Sequence, residues 1–306
     1  MRVTLLAGGT GGAKLAAGMQ ELIGDGLEVV ANTADDTQVH GLHVSPDPDL
    51  VTYWLAGEID EERGWGIRGD SFTVHRRLEQ LGAPGWFQLS DRDLATCLYR
   101  THFIAEGGTL TAAQGQIARS LGVRAAVLPM CEEPVQTRVL TSEGWRPLQE
   151  FLILYGSRPS IDAIEVRDLD ASTPTAEVRE ALAAADAIVV GPSNPVISIG
   201  PILSVPGMRE AIAAAGAPVI AVSPFVGGRA VKGPTEEFMR AIGCPPTAAG
   251  VASLYEGVIG AMVVDAGDPG PGPESLELLS CPTLMEGREG RVALAQRVLE
   301  FAQAMR

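Results

Sequence analysis

Cysteine is scarce in this chain, and its thiols are not spaced to bind a metal. The four cysteines lie far apart, without a CxxC pair or a zinc-type spacing to histidine: Cys97, Cys131, Cys244 and Cys281. So few thiols among 306 residues cannot build a disulfide framework. We therefore predict free thiols in the core and a reducing, cytoplasmic location.

Positive charge and long apolar runs are also lacking. Lys and Arg number 23 against 38 for Asp and Glu, which gives a formal net charge of −15. A surface of that sign repels nucleic acid and anionic lipid at long range, so we expect neither as a partner. No apolar run reaches the roughly 18 residues that a membrane-spanning helix needs. The charge still permits a local cationic pocket for a phosphorylated molecule, or an acidic pocket for a metal.

What the chain does contain is an alternation of apolar runs with Ala-rich stretches. Runs rich in Val, Ile and Leu predict buried strands at residues 3–7, 28–32, 125–129, 187–191, 219–223 and 260–264. The stretches between them predict helices at residues 14–23, 175–185, 208–215, 236–242, 251–259 and 291–305. Strands that are apolar throughout indicate a parallel α/β sheet with both faces covered.

Residues 50–121 depart from this alternation. They hold most of the aromatic residues, and their apolar positions recur at helical spacing, as at Leu94, Cys97 and Leu98. They predict a mainly helical insertion, which leaves residues 1–49 and 122–306 as the core.

Two shorter features complete the outline of the fold. Alternating runs at residues 137–141 and 151–155 predict a hairpin on the sheet edge, around a turn at Ser142-Glu143-Gly144. Pro269, Pro271 and Pro273 predict a surface loop.

The first predicted strand runs into a glycine-rich segment, Gly8-Gly9-Thr10-Gly11-Gly12-Ala13-Lys14. Glycines before a helix let backbone N–H groups approach an anion, and Thr10 and Lys14 would also serve a phosphate. The segment matches neither the GxGxxG dinucleotide pattern nor Walker A. It therefore indicates phosphate binding by geometry, with a tight ligand-free turn as the alternative.

Acidic residues gather after the second strand. Asn32, Asp35 and Asp36 follow that strand directly, and Asp47 and Asp49 stand in a Ser-Pro-Asp-Pro-Asp run, where the prolines fix an extended or turn backbone. Four carboxylates are costly to bring together without a cation, and hard oxygen ligands suit Mg²⁺. Each Asp alone could instead cap a helix or a turn.

Later segments offer further candidate contacts. Trp65, between glycines, either forms a wall for a flat ligand or is the buried Trp of a structural loop. Arg92 stands between two aspartates and is either a salt-bridged cap or a cation for phosphate. Ser193 and Asn194 follow a predicted strand and could donate to a phosphate. Lys232, in a Gly-rich loop, marks where a nucleotide base or its phosphate could sit.

In this order the motifs resemble the 2-phospho-L-lactate transferase family of coenzyme F-420 biosynthesis. The resemblance covers residues 1–234, with a similar region at residues 253–255. It rests on the glycine segment, Asn32-Thr33-Ala34-Asp35-Asp36, Ser45-Pro46-Asp47-Pro48-Asp49, Trp65-Gly66, Asp91-Arg92-Asp93, Leu128-Pro129-Met130, Gly191-Pro192-Ser193-Asn194-Pro195 and Ser223-Pro224. It implies a Rossmann-like, doubly wound, mainly parallel sheet with an inserted helical subdomain.

The resemblance also implies a reaction. A phospholactyl or phosphoenolpyruvyl group passes from a guanosine-diphosphate-linked donor to the deazaflavin alcohol Fo (7,8-didemethyl-8-hydroxy-5-deazariboflavin). GMP leaves, and Mg²⁺ is required. Asp49 and Gln88 would contact the deazaflavin, although some relatives carry a cation where this chain has Gln88. Residues 8–12, Asn32 and the Ser193-Asn194 loop would hold the diphosphate.

Roles follow for the remaining candidates. We predict that Asp49 orients the attacking hydroxyl, while Asp36 and Arg92 assist catalysis through the metal and the phosphate charge. The predicted metal ligands are Asp35, Asp36 and Asp47. The predicted substrate contacts also include Thr10, Lys14, Trp65 and Lys232. A homodimer is the default expectation for an enzyme of this size.

Two other functions stay open at this point. One is a regulatory protein of the same fold that binds a nucleotide sugar without turnover. The other is an NAD(P) oxidoreductase, which the missing third glycine disfavours. Nothing in the sequence decides whether the donor carries lactate, enolpyruvate or another three-carbon acid.

Overall fold

The computed structural model of the chain describes residues 1–269, 272–273 and 275–306. In chain order the strands are β1 (Val3–Ala7), β2 (Leu27–Ala31), β3 (Thr37–Val39), β4 (Leu42–Val44), β5 (Ala126–Pro129), β6 (Gln136–Thr141), β7 (Gly144–Pro147), β8 (Ala163–Arg167), β9 (Ala187–Val190), β10 (Val219–Val222), β11 (Phe225–Val226), β12 (Arg229–Ala230), β13 (Ala261–Asp265) and β14 (Glu277–Cys281).

The helices are α1 (Gly9–Ile23), α2 (Pro46–Ala56), α3 (Thr73–Gln80), α4 (Asp91–Ala105), α5 (Leu110–Ser120), α6 (Ala176–Ala184), α7 (Ile199–Ser204), α8 (Met208–Ala214), α9 (Thr235–Ala241), α10 (Ala248–Leu254) and α11 (Gly287–Ala304). Short 3-10 turns lie at Gly24–Gly26 and Leu169–Ala171.

The central element is a parallel sheet. Within the described residues, seven strands pair in the order β14-β13-β10-β9-β1-β2-β5, and each adjacent pair is parallel. The strands β1, β9, β10 and β13 are buried at every position, because helices cover both faces. The predicted α/β fold is confirmed.

Adjacent residues of β1 point into opposite halves of the core. Leu5 packs in the layer formed by α1, α2 and α11, whereas Leu6 packs in the layer formed by α6, α7, α8 and α10. The result is a helix–sheet–helix sandwich, and the chain segments that follow the strands meet at one edge of it.

Two local predictions were wrong: the start of the first helix, and the extended or turn backbone expected at the prolines 46 and 48. The helix α1 begins at Gly9, so the glycine segment forms its first turn rather than a preceding loop. The prolines at 46 and 48 do not hold an extended chain, since Pro46 is the first residue of α2. Proline suits this position because the first turn of a helix has no intrahelical use for its N–H.

The region between β2 and β5 contains the β3–β4 hairpin and the helices α2 to α5. On α4 the buried residues are Asp93, Cys97 and Arg100, whereas Leu98 is 57% exposed. The expected apolar stripe was therefore misplaced, and the buried stripe carries two charged side chains. A boundary between core and insertion at residue 50 stays a prediction, and α2 crosses it.

The predicted hairpin was only partly correct. The strand β6 pairs with β7 and with β8 in a separate antiparallel sheet, not at the edge of the main sheet. Residues Glu150–Leu154 form a π-helical turn instead of a strand, and Phe151 packs edge-to-face on Phe238.

Three smaller predictions concern the cysteines, the proline-rich loop and membrane-spanning helices. All four cysteines are free and buried, as predicted. Pro269 and Pro273 lie in the loop before β14, whereas Pro271 falls outside the described residues. Of the helices described, none is by itself long and apolar enough to cross a membrane. One bent pair, Pro195–Ser204 with Met208–Ala214, meets the length and composition criteria, and its apolar residues pack in the core.

Candidate active site at the carboxyl edge of the sheet

The site lies where the strand order of the sheet reverses. From β1 the chain continues to β2 and β5 on one side, and it returns through β9, β10 and β13 on the other. The crevice between β1 and β9 is therefore a topological switch point, and parallel α/β sheets bind ligands outside the carboxyl ends of their strands at such points.

The glycine segment packs tightly against the loop after β9. The Gly8 N–H donates to Ser193 Oγ at 3.2 Å. A Cβ at Gly11 would overlap the Pro192 carbonyl oxygen, and one at Gly12 would lie 2.5 Å from Ser193 Oγ. These glycines are thus required for close approach between two chain segments, a use that the sequence alone did not reveal.

Asp47 connects the start of α1 with the end of β2. Its Oδ1 accepts the Gly9 N–H at 2.5 Å, and its Oδ2 accepts from Asn32 Nδ2 at 3.0 Å. Burial raises the pKa of Asp47 to about 6, although these two hydrogen bonds oppose the rise. A carboxylate therefore already occupies part of the anion-binding N-terminus of α1.

Asn32 connects two acids beneath this contact. Its wholly buried side chain donates to Asp35 Oδ1 at 3.3 Å as well as to Asp47. Asp35 Oδ2 accepts from Gln149 Nε2 at 3.1 Å. Burial, followed by the charges of Asp47 and Asp36, raises the pKa of Asp35 well above its usual range.

Asp36 has one satisfied and one unsatisfied oxygen. Its Oδ2 accepts from Ser45 Oγ at 2.8 Å and lies 2.8 Å from His43 Nε2. Among the described residues, its buried Oδ1 has no hydrogen-bond partner. Burial raises the pKa of Asp36, and His43 opposes that rise.

Asp49 is buried, with 4% exposure. Its Oδ1 pairs with the guanidinium of Arg100, which is fully buried. Burial raises the pKa of Asp49, and the charge of Arg100 lowers it. An acid held in this way is fixed in orientation, which suits positioning of a hydroxyl better than free proton exchange with solvent.

Trp65 and Lys232 stand at the rim of the site. The Trp65 side chain is 39% exposed, with Arg63 5.1 Å from its ring and Phe72 edge-to-face at 6.2 Å. Lys232 Nζ donates to Thr10 Oγ1 at 3.1 Å and to the Gly64 carbonyl at 3.2 Å. The loop that carries Trp65 is thereby held beside the N-terminus of α1.

The acids do not converge as closely as a preformed metal cage. Among the described residues, the one group of potential ligands with atoms all within 4.8 Å of one another is Asp49, Asp93 and Cys97, beside Arg100. Asp35 and Asp47 are both hydrogen-bonded to Asn32, with Asp36 beside them, but the ligand atoms of these three acids are spaced more widely.

The family model described as 2-phospho-L-lactate transferase CofD matches residues 3–274 of the chain. A 2-phospho-L-lactate transferase of Methanopyrus kandleri is 38% identical, with 100% of this chain and 99% of that protein covered. A phosphoenolpyruvate transferase of Streptomyces griseus is also 38% identical, with both chains covered in full. A 2-phospho-L-lactate transferase of Methanosarcina mazei is 36% identical over 97% of this chain and 99% of its own.

The chain belongs to the 2-phospho-L-lactate transferase family. The resemblance drawn from the sequence motifs is therefore confirmed. Two crystal structures of the protein BH3568 from Bacillus halodurans, one described as a member of the upf0052 family, have TM-scores of 0.63 and 0.65. They are 18% and 17% identical and each cover 97% of this chain, with 99% and 98% of their own length matched, so they show a shared fold alone.

The structure brings many of the predicted site residues of this family member into one hydrogen-bonded cluster. It joins the glycine segment, Asn32, Asp35, Asp47 and Ser193, with Asp36 and Asp49 adjoining through their charges. Asn194 instead holds its own loop, because its Oδ1 accepts from the N–H groups of Val196 and Ile197.

Three predicted residues lie apart from that cluster. Lys14 Nζ reaches the Met285 carbonyl at 3.4 Å and the Trp54 ring. Gln88 is exposed, and Arg92 donates to the Arg68 carbonyl at 2.7 Å. No hydrogen bond among the described residues links Gln88 or Arg92 to the acids.

Five further residues shape the site of this transferase, although no sequence pattern had assigned them a role there. They are His43, Ser45, Arg100, Gln114 and Gln149. For Arg100 a signal was present, since it lies at helical spacing from Asp93 and Cys97. For Gln149 no signal exists, because its contact with Asp35 spans more than a hundred residues.

Proposed function

We propose that this family member transfers a phospholactyl or phosphoenolpyruvyl group from a guanosine-diphosphate-linked donor to the deazaflavin Fo and releases GMP. The observation that carries the proposal is the junction of Asp47 with Gly9 and Asn32, which joins an acid cluster to a helix N-terminus at the switch point. Full-length similarity to one protein named 2-phospho-L-lactate transferase and one named phosphoenolpyruvate transferase supports the same assignment.

The donor diphosphate would lie at the N-terminus of α1. The first N–H groups of a helix have no intrahelical partner and favour an anion. Ser193 and Lys232 flank this position, through Gly8 and Thr10 respectively. Partial burial and then the charge of Lys14 lower the pKa of Lys232, so an arriving phosphate would relieve a repulsion between two cations. Because Asp47 already accepts the Gly9 N–H, the donor must share or displace that contact.

The acceptor would lie on the side of Asp49 and Trp65. A half-exposed indole backed by Arg63 offers a surface on which a flat heterocycle can stack. Gln88, exposed and uncharged, is a further candidate contact for the deazaflavin. The acceptor's ribityl chain would then extend from Trp65 toward Asp49.

The chemistry needs alignment and charge neutralisation. A ribityl hydroxyl of Fo attacks the phosphorus that carries the three-carbon acid, and the bond from that phosphorus to the GMP oxygen breaks. Asp49 accepts a hydrogen bond from the attacking hydroxyl, and as the new P–O bond forms the hydroxyl proton passes to the phosphate oxygen of the departing GMP. The N-terminus of α1 and Lys232 balance the charge that develops on the departing GMP. Arg92 would reach the phosphate only after it gives up its contact with Arg68.

The acid cluster fits a divalent cation. Asp36 Oδ1 is buried without a partner among the described residues. Burial raises the pKa values of Asp35, Asp36 and Asp47, and repulsion from neighbouring carboxylates adds to the rise at Asp35 and Asp47. Asp36, with Asp35 or Asp47, would hold Mg²⁺, since hard oxygen ligands suit that ion. When bound, Mg²⁺ supplies neutralisation of phosphate charge.

The proposal is tested by titrating the protein with Fo and following deazaflavin fluorescence, with Mg²⁺ and GDP present. We expect saturable binding that Asp49→Ala weakens. Asp186→Ala is the matched control, because Asp186 lies at the opposite edge of the sheet and contacts Arg2 and Arg306. Tight binding of a nucleotide sugar without any binding of Fo would instead support the regulatory function.

A homodimer and a cytoplasmic location stay predictions. Sedimentation equilibrium of the purified chain would test the first, and fractionation of the source cells would test the second.

A further inference from the structure

Arg100 is the largest fully buried side chain among the described residues, with 0% exposure. Arginine is rarely buried to this extent, because removing a guanidinium from water costs several kcal/mol unless partners compensate. Its position on α4 therefore calls for a reason beyond the filling of space.

The guanidinium of Arg100 ties together three separate elements. Its Nη2 donates to Asp49 on α2 and, at 3.2 Å, to Gln114 Oε1 on α5. Its Nη1 donates to the carbonyl of His43 on β4 at 3.3 Å. Gln114 in turn donates to Thr52 Oγ1 at 2.7 Å, which is a second link to α2.

Two of these contacts lead to acids of the site. Arg100 donates a hydrogen bond directly to Asp49. His43 is held at its backbone, and its imidazole Nε2 lies 2.8 Å from Asp36 Oδ2. Arg100 thus fixes one acid itself and supports the partner of a second, without reaching the exposed surface of the site.

A plain structural ion pair would not require this pattern. Buried ion pairs can often be replaced by apolar residues without loss of stability. A guanidinium that donates to a carboxylate, an amide and a backbone carbonyl therefore indicates that the orientation of these groups matters. An ammonium group carries the same charge but lacks the planar fork.

We propose that Arg100 is a positioning residue of the transferase, which holds Asp49 and the His43–Asp36 pair in the orientation that acceptor and phosphate chemistry need. The inference rests on the proposed function. It assigns to Arg100 no contact with either substrate.

The test compares Arg100→Lys with Arg100→Met and the wild type. Arg100→Lys retains the charge, so its far-UV circular dichroism should match the wild type. Its kcat should fall about 10- to 100-fold, since small misplacements of catalytic groups have effects of that size. The KM for the guanylylated donor should change less than threefold, because donor contacts lie at α1. Arg100→Met should lose stability as well as turnover.

The matched control is Arg291→Lys. The Arg291 side chain is 12% exposed and is ion-paired to Glu61 at 3.0 Å, but it packs on the Trp54 ring away from the acids. Its kcat should stay within twofold of the wild type.

The possible outcomes distinguish a failure of the positioning role from a failure of the proposed function. If the wild type is active and Arg100→Lys matches its kcat, the positioning role is wrong while the transferase stands. If Lys restores both the stability and the kcat lost in Arg100→Met, charge alone suffices and the role is also wrong. If the wild type neither binds Fo nor releases GMP from any guanylylated donor, the proposed function fails and the inference falls with it.

Discussion

Arg92 and Arg100 lie on the same helix, and each pairs with an aspartate, yet their surroundings differ completely. The Arg92 side chain is 53% exposed, and its Nε lies 3.5 Å from Asp70. The Arg100 side chain is wholly buried and contacts Asp49, Gln114 and the His43 carbonyl. Arg92 drew attention in the sequence because acids flank it along the chain. Arg100 has no acidic neighbour in sequence and gains its partners only through folding.

The contrast teaches that charge patterns along a chain and charge networks in space are different signals. In the Asp91-Arg92-Asp93 run, Asp91 holds the start of α3 through the N–H groups of Thr73 and Val74. Asp93 instead faces the core and accepts from Tyr53 Oη at 2.8 Å. One short motif therefore divides into an exposed structural half and a buried half that adjoins the site.

The largest expected difference concerns stability. Arg100→Met leaves Asp49 buried without its partner, and we expect a loss of about 3–5 kcal/mol in the free energy of unfolding. Arg92→Met should cost less than about 1 kcal/mol, because exposed pairs contribute little. Urea denaturation of both variants provides the measurement. Equal losses would remove the distinction between the two arginines.

The next difference concerns turnover. Asp49→Asn keeps the size of the side chain but removes the charge that Arg100 holds, so we expect kcat to fall about 10- to 100-fold, as for a misaligned catalytic group. Asp70→Asn, which alters the partner of Arg92, should leave kcat within threefold. Initial rates of GMP release measure both. A larger loss of kcat in Asp70→Asn than in Asp49→Asn would mean that the ion pair of Arg92, and not that of Arg100, positions the catalytic groups.

A third difference concerns pH. Burial raises the pKa of Asp93 to about 7, whereas the Ser71 hydroxyl and backbone N–H groups lower the pKa of Asp91. Between about pH 4, the usual aspartate value, and pH 7, the folded state keeps a proton on Asp93 that the unfolded state has lost. Asp93 therefore makes the free energy of unfolding fall as the pH rises through this window. Asp91 acts in the opposite sense, and its contribution is lost as the pH falls below about 4.

Chemical denaturation between pH 4 and pH 7 measures how the free energy of unfolding depends on pH and so tests both directions. Asp93→Asn should reduce the dependence, leaving the part due to the other buried acids whose pKa values are raised: Asp35, Asp36, Asp47 and Asp49. Asp91→Asn should leave the slope in this window unchanged. An unchanged slope in Asp93→Asn would mean that this carboxyl is ionised in the folded protein at neutral pH.

The smallest expected effect lies at the exposed rim. Trp65→Phe should weaken Fo binding about 2- to 10-fold, the size of an aromatic stacking contribution, and leave stability unchanged. Trp145→Phe, on β7 in the separate antiparallel sheet, serves as the control. Fluorescence titration compares the two variants, and identical affinities would remove Trp65 from the acceptor site.

Much of the fold follows from local pattern. The strands β1, β9 and β10 were predicted to within a residue because continuous apolar runs specify burial on both faces. The edge strand β14 was missed, since four of its five residues are not buried and its sequence carries no such run. The hairpin partner of β6 was misplaced because the apolar run that was read as a strand packs as a π-helical turn.

The site was predictable only where its residues follow strands. Asn32, Asp35 and Ser193 stand directly after β2 and β9, so the topology of a parallel sheet brings them together. Asp47 required the additional fact that α2 begins at Pro46, which aims this residue at the Gly9 N–H. Arg100 and Gln149 depend on packing between distant segments, and neighbouring residues in sequence do not encode such contacts.

The central claim is most directly tested by mixing the protein with Fo, Mg²⁺ and each guanylylated three-carbon acid in turn, and measuring GMP and the phosphorylated deazaflavin product together. The account predicts one GMP released for each product formed, with at least one donor, and a strong loss of both in Asp49→Asn. GMP release that does not require Fo, or full activity in Asp49→Asn, would contradict it.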